Sequence, residues 1–147
     1  MSRTVVYVDG SCENNGHKNP VAGIGVYFGP NDKRNVGKII PEIKTNNQAE
    51  LLAAITALES FKPSSLIEIR SDSKYVIQGM NEWRHKWKKY NWFRNKSQTY
   101  PVLNKDMWIR IDRLDALHDV KWVWVKGHTG ELDGNYYADM LATKTIN

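Results

Sequence analysis

The sequence predicts an α/β layer in which helices cover a mixed five-stranded sheet. Three observations predict it. Short apolar runs recur at Thr4–Asp9, Val21–Phe28, Asn35–Ile43, Leu66–Arg70 and Val120–Val125. Segments of helical period separate the later runs and follow the last one. The second and third runs are divided only by Gly29-Pro-Asn-Asp32, which marks an antiparallel meander.

The first strand, Thr4–Asp9, has apolar residues on both faces, as a central strand does. Gly10 to Pro20 is rich in Asn, Gly and Pro and reads as a loop. Thr45 is an N-cap candidate for a helix running to about Phe61, with Leu51, Ile55 and Leu58 as its core stripe. Ala54, Ala57 and Phe61 widen that stripe, and Glu50 projects the same way. Pro63 and Ser64 break the helix before the strand at Leu66. A second helical stretch begins at Ser71-Asp72-Ser73 and continues through Asn81–Lys89, with Trp83 and Trp87 on one face and Arg84 and Lys88 on another. Tyr90–Tyr100 reads as a loop. Pro101 opens a helix running to about Leu117, and Asn135–Thr145 forms the last helix. The predicted order is β-β-β-α-β-α-α-α-β-α.

The 147 residues fit one domain with a sizeable core, and the whole of 1–147 reads as that domain. No apolar stretch is long enough to span a membrane, and Met1–Thr4 leads straight into a strand, so no targeting segment is expected. The single cysteine, Cys12, allows no internal disulfide and implies a reducing, intracellular setting, cytoplasmic or nuclear. No Cys/His cluster has zinc spacing. Charge is uneven. Between Ser73 and Ser97 seven Lys and Arg face one Glu, a net +6, against +5 for the chain, so the remainder carries −1. A local positive patch on a neutral body marks a polyanion partner.

Four acids border apolar segments: Asp9, Glu50, Asp72 and Asp139. Carboxylates beside a core cost free energy unless compensated, and four together repel one another unless a cation neutralises them. Each has a bland alternative. Asp9 can cap a turn, Asp72 can cap a helix, Glu50 can serve the helix dipole, and Asp139 can be a solvated residue at a stripe edge. As a set they are more specific. Asp9 and Asp72 both end strands, where α/β sheets place their sites, and Glu50 opens the helix between those strands. Oxygen ligands without Cys suit Mg²⁺, with Mn²⁺ as a substitute. Two such ions about 3.5–4 Å apart would activate water and stabilise the leaving oxygen of a phosphodiester.

Four blocks resemble ribonuclease H type 1: Val8-Asp-Gly-Ser11; Thr45-Asn-Asn-Gln-Ala-Glu-Leu51; Ser71-Asp-Ser-Lys-Tyr-Val76; and Lys126-Gly-His-Thr-Gly130 with Gly134-Asn-Tyr-Tyr-Ala-Asp139. Their order and spacing match the family over nearly the whole chain. The resemblance implies an RNase H-like sheet of three antiparallel strands then two parallel ones, with a basic protrusion. It implies endonucleolytic hydrolysis of the RNA strand of RNA–DNA hybrids, leaving 5′-phosphate and 3′-hydroxyl ends. It carries catalytic and metal-binding roles onto Asp9, Glu50, Asp72 and Asp139, and proton transfer or product release onto His128. RNA-strand contacts fall on Gly10, Ser11, Asn15, Asn46 and Asn47. DNA-strand contacts fall on Thr45, Tyr75, Trp83, Trp87 and Asn104. The protrusion holds Arg84, Lys86, Lys88 and Lys89, of which the three lysines are phosphate partners by charge.

The chain departs from the family pattern in three ways. Asp139 follows His128 by eleven residues, about one more than expected, and Asp133 offers a competing acid. Ile43 stands where some relatives place a basic residue near the DNA-phosphate pocket. No separate hybrid-binding domain is expected before Asp9, and the chain is expected to act as a monomer. Two other functions fit the same fold: a non-catalytic nucleic-acid-binding module, and a nuclease or strand-transferase directed at DNA.

Overall fold

The computed structural model describes residues 2–15 and 17–144. Strands β1 (Thr4–Glu13), β2 (Val21–Tyr27) and β3 (Val36–Ile39) come first, then helix α1 (Asn46–Glu59) and strand β4 (Leu66–Ser71). Helix α2 (Lys74–Gln78) passes through a π-helical turn (Gly79–Trp83) into α3 (Arg84–Lys89). Helix α4 (Lys105–Ala116), strand β5 (Asp119–Trp124) and helix α5 (Gly134–Lys144) complete the order. The sheet runs β3-β2-β1-β4-β5. β1–β2 and β2–β3 are antiparallel, whereas β1–β4 and β4–β5 are parallel.

The element order agrees with the prediction, but three boundaries move, among them the helix expected to open at Pro101, which begins only at Lys105 because Pro101 is bridged to Phe93. β1 does not stop at Asp9. Its pairing with β2 continues through Glu13 opposite Val21, because the Gly10–Cys12 stretch still has a partner strand beside it. The third strand is shorter than Asn35–Ile43. Ile40 donates its N–H back to Ala22, and Ile43 turns inward against Cys12, Ala22 and Ala49.

Why β1 extends explains the crevice. Its parallel ladder with β4 covers only Thr4–Tyr7 against Ile67–Arg70. Beyond Tyr7 it follows β2 alone, so the C-terminal ends of β1 and β4 part. Connections from these two neighbours leave in opposite directions, which is the switch point where α/β sheets bind ligands.

The core lies between the sheet and α1, α2 and α4. Val6, Val8, Ile24, Leu51, Ile55, Ile67, Ile69 and Trp108 are among its fully buried side chains. α1 is buried nearly all round because Ala49, Ala53, Ala54 and Ala57 let it sit close to its neighbours. Helix α5 packs on the other face, where a Cβ at Gly25 would strike the backbone of Ala138. Thr45 caps α1 as expected, its Oγ1 accepting the Gln48 N–H at 3.1 Å.

Candidate active site

Asp9 is the most constrained acid of the four. It lies within β1, paired with Gly25, and is 5% exposed. Its position inside a strand rules out the turn-cap alternative. The next residue, Gly10, touches α1: a Cβ there would overlap the backbone of Ala49 and Glu50. That approach brings Glu50 to the strand, and the Gly10 N–H donates to Glu50 Oε1 at 2.5 Å. Glycine at position 10 therefore sets how close the second carboxylate comes to the first.

Asp72 follows β4. The helix cap here is Ser73, whose Oγ accepts the Val76 N–H at 3.2 Å. Ser71 Oγ in turn accepts the Ser73 N–H at 3.0 Å. Two serines take the local hydrogen bonds, which leaves the Asp72 carboxylate free to face the crevice. Oxygens of Asp9, Glu50 and Asp72 all lie within 4.8 Å of one another. Asp139, on α5, stands just outside that close set and reaches it by hydrogen bonding to Asp9.

No Lys or Arg ion pair reaches these four among the described residues. The electrostatic result is what that predicts. Burial pushes the Asp9 carboxyl up to about 11, with Glu50, Asp72 and Asp139 adding to the shift. Burial, then the Asp72 charge, pushes Glu50 up to about 8 even though the Gly10 N–H opposes it. A cluster of hard oxygen donors that no Lys or Arg ion pair reaches among the described residues fits a divalent, oxygen-preferring metal.

The loop after β5 covers the site. A Cβ at Gly127 would strike the Asp72 carboxylate. Trp124 Nε1 donates to the Asp72 carbonyl at 3.1 Å, and the Lys74 ammonium lies 5.1 Å from the Trp124 ring centre. His128 has φ of 53°, a left-handed conformation few side chains adopt, and it is exposed. His128 and Asp139 border one small cavity of about 30 Å³. Asp133 is not a rival for Asp139. Its Oδ1 accepts the Tyr136 N–H at 2.9 Å and its carbonyl accepts from Tyr137, so it caps α5.

The candidate strand-binding residues flank the cluster on two sides. Gly10 and Ser11 lie in β1. Asn15 Oδ1 accepts the Asn46 N–H at 2.7 Å, joining two of the expected RNA contacts, and Asn47 is exposed next to them. On the other side Tyr75, Trp83, Trp87 and Trp108 form an aromatic chain with ring centres 5.2 to 6.1 Å apart. Tyr75 Oη accepts from Asn104 Nδ2 at 3.1 Å and from Trp108 Nε1 at 3.0 Å. Asn104 Oδ1 accepts from Gln48 Nε2 at 3.2 Å. One chain of bonds thus runs from the start of α1 to the aromatic wall. Ile43, at the position some relatives fill with a base, is buried and gives this area no charge.

Arg84 lies in the basic segment as expected, at the start of α3. Its side chain turns inward to Asp112 and Asp115 rather than outward. Lys88 also meets Asp112, at 3.1 Å, while Lys86 and Lys89 are exposed. The sequence reading also passed over Gln48, Trp108, Trp124 and Gly127. Gln48 carried a readable sign, since Thr45-Asn-Asn-Gln48 is a capping-box pattern, although its Oε1 accepts from Lys44 N–H, one residue before the cap. Trp108 is a buried helix residue like any other until the fold brings Tyr75 to its indole N–H.

Residues 1–147 match the RNase H family model. Ribonuclease H of Ruthia magnifica is 42% identical over 150 residues, covering all of this chain and 97% of that protein. Human Ribonuclease H1 is 41% identical over 140 residues, covering 94% of this chain and 48% of the human protein. Among solved structures, the RNase H domain of prototype foamy virus superposes with a TM-score of 0.74 at 26% identity, over 96% of this chain and 92% of that domain. With this sheet order, this crevice and these matches, the chain belongs to the ribonuclease H family.

Proposed function

We infer that the protein cleaves the RNA strand of RNA–DNA hybrids internally, by a two-cation mechanism that leaves 5′-phosphate and 3′-hydroxyl ends. The observation that carries this is the meeting of Asp9, Glu50 and Asp72 within 4.8 Å, with no ion pair to relieve them among the described residues. Relatives named ribonuclease H support the same reading. Mg²⁺, or Mn²⁺ in its place, supplies water activation and charge neutralisation at the leaving oxygen when bound.

The chain's own residues do the positioning. Asp9, Glu50, Asp72 and Asp139 hold the cations. The Gly10 N–H fixes one Glu50 oxygen. His128, exposed on its loop, moves a proton or helps the product leave. Asn15, Asn46 and Asn47, with Gly10 and Ser11, read the RNA strand, whose 2′-hydroxyls both donate and accept. Thr45, Tyr75, Trp83, Trp87 and Asn104 line the path of the DNA strand. Lys86 and Lys89 attract phosphates without reading sequence.

A substrate panel tests this reading. End-labelled hybrid, double-stranded RNA and duplex DNA are incubated with and without Mg²⁺, and the product ends are identified. Cleavage of RNA in the hybrid alone, and only with the metal, is expected. Cutting of duplex DNA at a comparable rate, or tight hybrid binding with no metal-dependent cut, overturns it in favour of a DNA-directed or non-catalytic member of the fold.

A further inference from the structure

Helix α3 carries the basic protrusion, yet none of its six residues is buried. Apolar packing therefore contributes little to its placement beyond the contact of Trp87 with Trp108. A polar cluster does the rest. Arg84 donates Nε to the Met80 carbonyl at 2.6 Å and Nη1 to Asp112 Oδ1 at 2.8 Å and Asp115 Oδ2 at 3.0 Å. Lys88, one turn later, meets Asp112 Oδ2 at 3.1 Å. Asp115 Oδ1 accepts from Trp122 Nε1 at 2.8 Å, which ties β5 into the same cluster.

Two acids and two bases balance. The side chains of Arg84, Asp112 and Asp115 are only 12–17% exposed, so solvent screens them weakly. A rigid guanidinium fork can satisfy several acceptors at fixed angles, which a lysine cannot. One of those acceptors, the Met80 carbonyl, lies in the π-helical turn, where the backbone ladder shifts register and the Arg84 N–H donates to the Gly79 carbonyl. Arg84 thus joins the turn that bears Trp83 to the helix that bears Trp87, and fastens both to α4.

We propose that Arg84, gripped by Asp112 and Asp115, is a positioning residue that sets the pose of the tryptophan-bearing protrusion against the DNA strand of the hybrid. The proposal rests on the functional reading above. It assigns Arg84 no direct contact with substrate.

Charge logic separates this from a direct phosphate contact. Neutralising both acids, Asp112→Asn with Asp115→Asn, frees a cation and removes two negative charges. If Arg84 bound phosphate directly, that double variant would hold hybrid more tightly and Arg84→Gln more weakly. If Arg84 positions the protrusion, both bind more weakly. Fluorescence anisotropy with a labelled hybrid in EDTA measures binding apart from cleavage. The expected result is a rise in Kd of at least about fivefold for both variants, with far-UV circular dichroism unchanged. In Mg²⁺, KM rises in step while kcat changes less than twofold.

Tighter binding by the acid-neutralised variant, or unchanged binding in both, overturns the proposal while leaving the enzyme reading intact. Should Arg84→Gln fail to fold, the double acid variant decides alone. A wild-type protein that binds no hybrid overturns the functional reading and this inference with it.

Discussion

Two groups of partly or fully buried acids in this protein have opposite surroundings. Asp112 and Asp115 sit between Arg84, Lys88 and the indole of Trp122. Asp9, Glu50 and Asp72 face one another, with a backbone N–H and a further carboxylate as their partners among the described residues. The first group is neutralised within the chain and serves to hold elements together. The second is left with its charge uncompensated, so Asp9 and Glu50 hold protons far above the ordinary carboxylate range. Burial alone does not distinguish the two groups. What distinguishes them is whether the fold supplies a cation. Where it does not, an external one is the remaining compensation, which supports the proposal that the crevice holds a divalent metal.

Removing one acid from the crevice group gives the largest expected effect. Asp9→Asn or Asp72→Asn should lower metal-dependent cleavage of a labelled hybrid by about a thousandfold or more while the fold persists. Full activity in either variant would sink the assignment.

Stability without metal should differ next. Asp9 and Glu50 have folded-state values above those of the unfolded chain, so the native state binds the extra protons. Their stabilising contribution is complete below the usual carboxylate range. It is lost as pH rises toward about 8 for Glu50 and about 11 for Asp9. Metal-free protein should therefore melt at a lower temperature at pH 8 than at pH 5.5. Asp9→Asn should recover about 2 kcal/mol of that loss, several degrees in Tm. Mg²⁺ should stabilise wild type more at the higher pH, and the same gain at both pH values would count against the account.

Smaller effects belong to the satisfied side of the comparison. Tyr75→Phe strands the Trp108 indole N–H and one Asn104 hydrogen, and should cost about 1–2 kcal/mol in denaturant unfolding. Arg110→Ala breaks an exposed pair with Glu59, and should change stability by less than about 1 kcal/mol. If the exposed pair proved worth as much as the buried network, the contrast drawn here would fail.

Much of this was readable from local chemistry. The five strands, the order of elements and the Thr45 cap follow from periodicity and capping residues, which act over a few positions. The four acids stood out because acids beside apolar runs are costly wherever they occur. The end of β1 was misread because Gly10 and Cys12 carry no strong strand preference, and only the presence of β2 beside them keeps the strand going. The inward turn of Arg84 was not legible because seven bases in one segment look alike in sequence. Whether a base faces solvent depends on Asp112 and Asp115, which lie on a helix that begins twenty-one residues later.

The sequence by itself determined the α/β class, the carboxylate set and the family, because these reside in residue types and short spacings. Tertiary structure alone decided which carboxylates are near enough to share a cation and which cations are already taken. It also placed Gly10 against α1 and Gly127 over Asp72, where a single methyl group would not fit. Those outcomes depend on contacts between residues far apart in the chain, whose distances are set by packing and not by spacing in sequence.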